Sequence, residues 1–111
     1  MWQRASSGSG GGGGSLNPQV VASFTGFLYG STPPYTYTID SSKSYMVFGD
    51  MKVNDTHRRE MVWYVSGGTI TPLQTDEYNL GVLTLSGTTL SMSLAVGSSP
   101  YYGEFAVVQL N

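Results

Sequence analysis

The chain has 111 residues, no cysteine, a net charge of −2 and only 11% charged residues, less than half the roughly 25% of typical soluble domains. That length allows one domain and a tail, and the missing cysteine excludes disulfides, thiolate metal sites and thiol nucleophiles. The slightly acidic balance gives no electrostatic footprint for nucleic acid or an anionic membrane, and no apolar run approaches the roughly 20 residues of a membrane span.

The first residues are Met1-Trp2-Gln3-Arg4, then Ala5 to Ser9, then five consecutive glycines, Gly10 to Gly14, before Ser15-Leu16-Asn17-Pro18. They lack the apolar h-region of a secretory signal, so the chain is expected to stay where it is made or to leave as part of something larger. A Gly/Ser stretch alone in water is a flexible coil, and glycine loses more freedom on ordering than any other residue. A large ring and a cation ahead of such a stretch read as an anchor on a tether, ordered by neighbouring molecules. The plainer readings are a solvated tail or an engineered linker of the Gly-Gly-Gly-Gly-Ser kind. Residues 1–18 are therefore expected to be an extended anchor, and residues 19–111 a separate domain.

From Gln19 the composition turns to β-branched and aromatic residues, and Gln19 to Tyr29 reads as a strand with Gly26 as a bulge or bend. Gly30-Ser31-Thr32-Pro33-Pro34 breaks it. Tyr35 to Ile39 is a short strand, and Asp40 to Lys43 a turn. Ser44 to Val53 follows, with Tyr45, Val47, Met51 and Val53 on one face, and Gly49 leaving a gap there for a neighbouring ring. Met46, Phe48, Asp50 and Lys52 take the other face.

Asn54-Asp55 is a turn signal. Arg58 to Val65 then places Met61, Trp63 and Val65 on one face and Glu60, Val62 and Tyr64 on the other. Ser66-Gly67-Gly68 is a tight turn. Thr69 to Thr71 is a short strand stopped by Pro72, and Leu73 to Tyr78 is loop. Leu80 to Leu85, Ser86-Gly87-Thr88 and Thr89 to Val96 read as a hairpin whose second arm alternates with strict period two. Tyr101 to Leu110 is apolar on both faces and is expected to lie centrally or at a subunit interface.

No window shows helical periodicity with caps. The pattern predicts an all-β chain, an antiparallel β-sandwich (jelly-roll or Ig-like) of about seven or eight short strands with an extended N-terminal tail.

The sequence offers no catalytic set, cofactor motif or metal site. His57 is the sole histidine, which with no cysteine cannot build an ordinary zinc site, and no nucleophile-elbow motif is present. It reads as a turn residue beside Arg58 and Arg59, a basic group suited to a charged strand edge. Asp76-Glu77 would point to opposite faces of an extended chain, and Asp50 and Asp55 lack the ligand density of a calcium loop. The glycine run lacks the Gly-Lys-Ser/Thr ending of a phosphate loop. A non-enzymatic role is expected. The aromatic residues are the better candidates for contact, since tyrosine and tryptophan are enriched at interfaces. Tyr35, Tyr101 and Tyr102 are candidate surface-recognition residues, for a glycan or another protein, and Trp63 is a core candidate.

Met1-Trp2-Gln3-Arg4, a glycine-rich run, Asn17-Pro18 and a compact β-domain ending in an apolar strand together resemble small virion proteins of tailed bacteriophages, of the short head-fibre, tail-fibre or baseplate appendage type. The resemblance lies in the order of parts, with its specific residues confined to the first eighteen. It implies a structural protein of the virion, assembled in the host cytoplasm and oligomeric, with a trimer favoured. Met1, Trp2 and Arg4 would dock on other virion proteins, Gly10, Gly11, Gly12, Gly13 and Gly14 would be the spacer, and the first and last strands would carry subunit contacts. Long fibrous repeats are missing, which favours a short appendage or a capsid decoration protein. A carbohydrate- or host-receptor-binding module is the alternative.

Overall fold

The computed structural model describes residues 17–28, 34–54, 57–75, 81–94 and 101–111, with the side chains of 27–28, 53–54, 57–59, 94 and 101 outside that description. Among the described residues, eight antiparallel strands form two sheets: β1 (Gln19–Leu28), β2 (Tyr35–Thr38), β3 (Tyr45–Asn54), β4 (His57–Ser66), β5 (Thr69–Gln74), β6 (Gly81–Ser86), β7 (Thr89–Leu94) and β8 (Tyr101–Gln109). The large sheet runs β1-β8-β3-β4-β5 and the small one β2-β7-β6. The chain is all-β, arranged as a two-sheet sandwich.

Period-two alternation builds the core. Tyr45, Val47 and Met51 of β3, Met61, Trp63 and Val65 of β4, and Phe105 and Val107 of β8 all face the small sheet, which contributes Leu90 and Met92. Gly49 is the gap that the sequence calls for. A Cβ there would lie 3.1 Å from the Phe105 ring and 3.2 Å from that of Trp63. The sheets meet through rings and sulfur as well: Phe24 and Tyr35 stack at 5.1 Å, and Tyr37 meets Tyr45 edge-on at 6.3 Å. At Gly81 a Cβ would fall 2.8 Å from the Met61 methyl.

The turns follow their residues. Gly67 and Gly68 have φ of 60° and 79°, the two positive angles of a type I′ hairpin loop, between the paired Ser66 and Thr69. Gly87, with φ 63°, opens the two-residue loop between Ser86 and Thr89. At Asp40 the carboxylate accepts from the Ser42 amide and hydroxyl at 2.9 and 2.7 Å, an Asx turn. The Asp40 amide in turn donates to the Tyr45 hydroxyl at 2.8 Å, tying the turn to the core.

Three local expectations are corrected. Of the bulge or bend expected at Gly26 the bulge is absent: Gly26 stays in register opposite Gly103, and the irregularity lies between Val20 and Ala22. Its φ of +155° and the Tyr35 hydroxyl 2.8 Å from a would-be Cβ are what require glycine. Pro72 does not stop the strand. It sits opposite Trp63 within β5, next to a register shift, and β5 is an outer strand, where proline is tolerated. Leu73 and Gln74, expected as loop, belong to that strand. The last strand does lie centrally, between β1 and β3, so its backbone is paired on both sides.

Candidate interaction surface

The outer face of the large sheet, turned away from β2, β6 and β7, is arranged in cross-strand rows set by register. The first row is Val20, Val108, Met46 and Tyr64, and the second is Ser23, Ala106, Phe48 and Val62. The third is Thr25, Glu104, Asp50 and Glu60, and beyond it lie Tyr102 and Lys52. Half of the face is thus apolar, followed by an acidic row and then by Tyr102 and Lys52.

Among the described residues the apolar half is left uncovered. Val20 is 65% exposed and Phe48 42%, with Met46, Val62, Ala106 and Val108 half-buried around them. No described element lies over them. Val20 reaches this face because of the β1 bulge. Val21 and Ala22 both pack against the core, two neighbours on one side, so Val20 is turned outward. Simple alternation would have put Val20, Ala22 and Phe24 together.

The acidic row places three carboxylates on adjacent strands, and like charges directly opposite are destabilising. Among the described residues no group of three His, Asp or Glu side chains is arranged to hold a metal ion. The neighbouring basic position, Lys52, lies two residues further along its strand, about 7 Å away.

A polar corner closes the other end. The Ser44 and Ser66 hydroxyls are 3.0 Å apart, and hydrogen bonding to Ser44, then to Ser66, holds the Tyr64 phenol below its ordinary 10.0. Here Asn17, the first described residue, is tied to the sheet. The Asn17 amide donates to the Leu110 carbonyl and the Leu110 amide to the Ser44 carbonyl, both at 2.8 Å.

The candidate residues fall in different places. Tyr102 is 37% exposed on the outer face. Tyr35 is half-buried on the opposite side of the sheet, stacked on Phe24 and 6.1 Å from Phe105. Tyr101 lies in β8 with its side chain outside the description. Trp63 is in the core, 6% exposed. His57, Arg58 and Arg59 open β4, while the described β5 pairing begins only at Val62. Met1, Trp2, Arg4, Gly10 to Gly14, Asp55, Asp76, Glu77 and Val96 lie outside the described residues. Val20, Phe48 and Val62 were not singled out for contact from sequence. The alternating apolar residues on both faces of β3 and β8 were the available signal. Among the described residues no helix is long and apolar enough to cross a membrane.

No family model, curated protein or solved structure matches this chain.

Proposed function

We propose that the chain is a non-enzymatic structural subunit of a bacteriophage virion, a short appendage or decoration protein. It is held to the particle through residues 1–18 and displays an oligomeric β-sandwich. The observation that supports this reading is the open apolar half of the large sheet, Val20 and Phe48 with their half-buried neighbours. Exposed contiguous apolar patches beyond roughly a few hundred Å² mark interaction sites on monomeric proteins. Asn17 is fixed beside Leu110 at that end of the sheet, so the chain enters the domain at the same end as the patch. Sixteen extended residues span up to roughly 53 Å, enough to cross a neighbouring subunit. Many such tails on one particle would bind by avidity even where each is weak.

The test is co-sedimentation of the full chain, and of the chain lacking residues 1–16, with purified virions of the phage that encodes it. The expected result is that the full chain sediments with the particle and the shortened one stays in the supernatant. Equal failure of both, with the domain folded by circular dichroism, removes the anchor reading. A second reading, binding of a host glycan, is favoured by Tyr102, exposed opposite Lys52 and one row from Glu104 and Asp50. An exposed ring beside polar groups is the chemistry that sugars use. Binding to a glycan array that is lost in Tyr102→Ala would support it.

A further inference from the structure

The large sheet has two edges of different character. β5 is six residues long and carries Pro72 and a register shift, both of which interrupt a strand edge and discourage pairing. β1 is ten residues long, QVVASFTGFL, without a charge or a proline. It pairs with β8 on one side, and no described strand pairs with it on the other. Its one protective device is the Val21 bulge, which interrupts only the N-terminal end. From Ala22 to Leu28 the strand runs in unbroken register with β8.

We propose that β1 pairs antiparallel with β1 of a second copy of this chain, across a two-fold axis near Thr25, joining two five-stranded sheets into one of ten. Thr25 is the midpoint of the uninterrupted segment Ala22–Leu28. Pairing about it sets Thr25 against Thr25, Phe24 against Gly26 and Ser23 against Phe27. No like charges meet, since the strand carries none. The nearest carboxylates, Glu104 of each copy, stand three strand spacings apart, roughly 14 Å, beyond the roughly 8 Å screening length of physiological salt. Continuing the sheet head-to-tail would require β1 to meet β5, which Pro72 and the neighbouring shift interrupt, and a self-complementary two-fold contact avoids this. The outcome is a dimer rather than the trimer that the phage resemblance implies. The inference is independent of what particle, if any, the chain joins.

Two measurements on the full chain test it. By sedimentation equilibrium the wild type should have about twice the 11.9 kDa chain mass, and Ser23→Lys/Thr25→Lys should have the chain mass with an unchanged far-UV spectrum. Both positions are exposed, and lysine on an edge blocks pairing without disturbing the strand behind it. The chain has no native cysteine, so mild oxidation of Thr25→Cys should give a covalent dimer. Thr71→Cys, on the opposite edge strand, should remain monomeric on the same gel. A monomeric or trimeric wild type, a double-lysine variant of unchanged mass, or equal cross-linking at 25 and 71 overturns the proposal. A dimer that fails to bind virions would leave it standing and count only against the virion role.

Discussion

Alternate residues of the same two strands meet opposite environments. Val47 and Val107 are fully buried and Phe105 is 2% exposed, whereas Phe48, next to Val47, is 42% exposed. The inner face is closed by complementary shapes: Gly49 beneath two rings, Gly81 against Met61, and Tyr35 stacked on Phe24. The outer face has apolar residues of the same kinds and nothing described over them. The difference shows that hydrophobic content alone does not mark the core. What marks it is a second layer shaped to fit. The apolar residues on the other side have no such described layer against them, and Phe48 and Val20 stay exposed.

The comparison breaks most visibly at Trp63. Trp63→Ala should cost about 3–5 kcal/mol in urea unfolding, because it empties a site closed by Gly49, and a loss below 1 kcal/mol would mean that the inner face is not tightly packed. Gly49→Val tests the same contact from the other side and should cost about 1–3 kcal/mol by overpacking. Gly26→Ala should cost about 1–3 kcal/mol, from its φ of +155° and the Tyr35 hydroxyl in its path. A neutral thermal melt for that variant would show that Tyr35 moves aside readily.

On the outer face, Phe48→Thr keeps a strand-forming residue and should change stability by less than about 1 kcal/mol. It should, however, weaken binding of a hydrophobic dye or of any partner that covers the patch. Unfolding by that variant as severe as Trp63→Ala would erase the distinction between the faces.

The smallest effect is expected at the Asx turn. Ser42 hydrogen bonds hold the Asp40 carboxyl below its ordinary 3.8, its hydroxyl contributing more than its amide. A lowered folded-state value stabilises the fold above 3.8 and loses that contribution as pH falls through the folded value. An NMR titration should place Asp40 below 3.8, and Ser42→Ala should bring it back toward that value.

The strands were legible because their sequence carries period two directly. Tyr45-Val47-Gly49-Met51, Met61-Trp63-Val65 and Leu90-Met92 each fall on the inner face as their spacing implies, and Gly67-Gly68 and Gly87 fall at the turns. Legibility failed where a strand departs from regular pairing. A bulge shifts alternation by one residue, and whether it forms depends on the partner strand. Val20 was thus turned outward, and Leu73 was drawn into a strand past a proline that by itself looks like a stop. The interaction surface was legible only in part. Tyr102 is exposed as a contact residue should be, but Tyr35 has much the same local chemistry and packs against Phe24.

What the sequence determined by itself is the strand content, the turn positions and which residues alternate, because these depend on φ/ψ preference and on neighbours within a few residues. Only the tertiary structure decided which of the two apolar faces of β3 and β8 the small sheet covers, and which strands of the large sheet are left at its edges. Those outcomes depend on strand order, and strand order is fixed by contacts between residues far apart in the chain, as between Gly49 and Phe105, which no local pattern records.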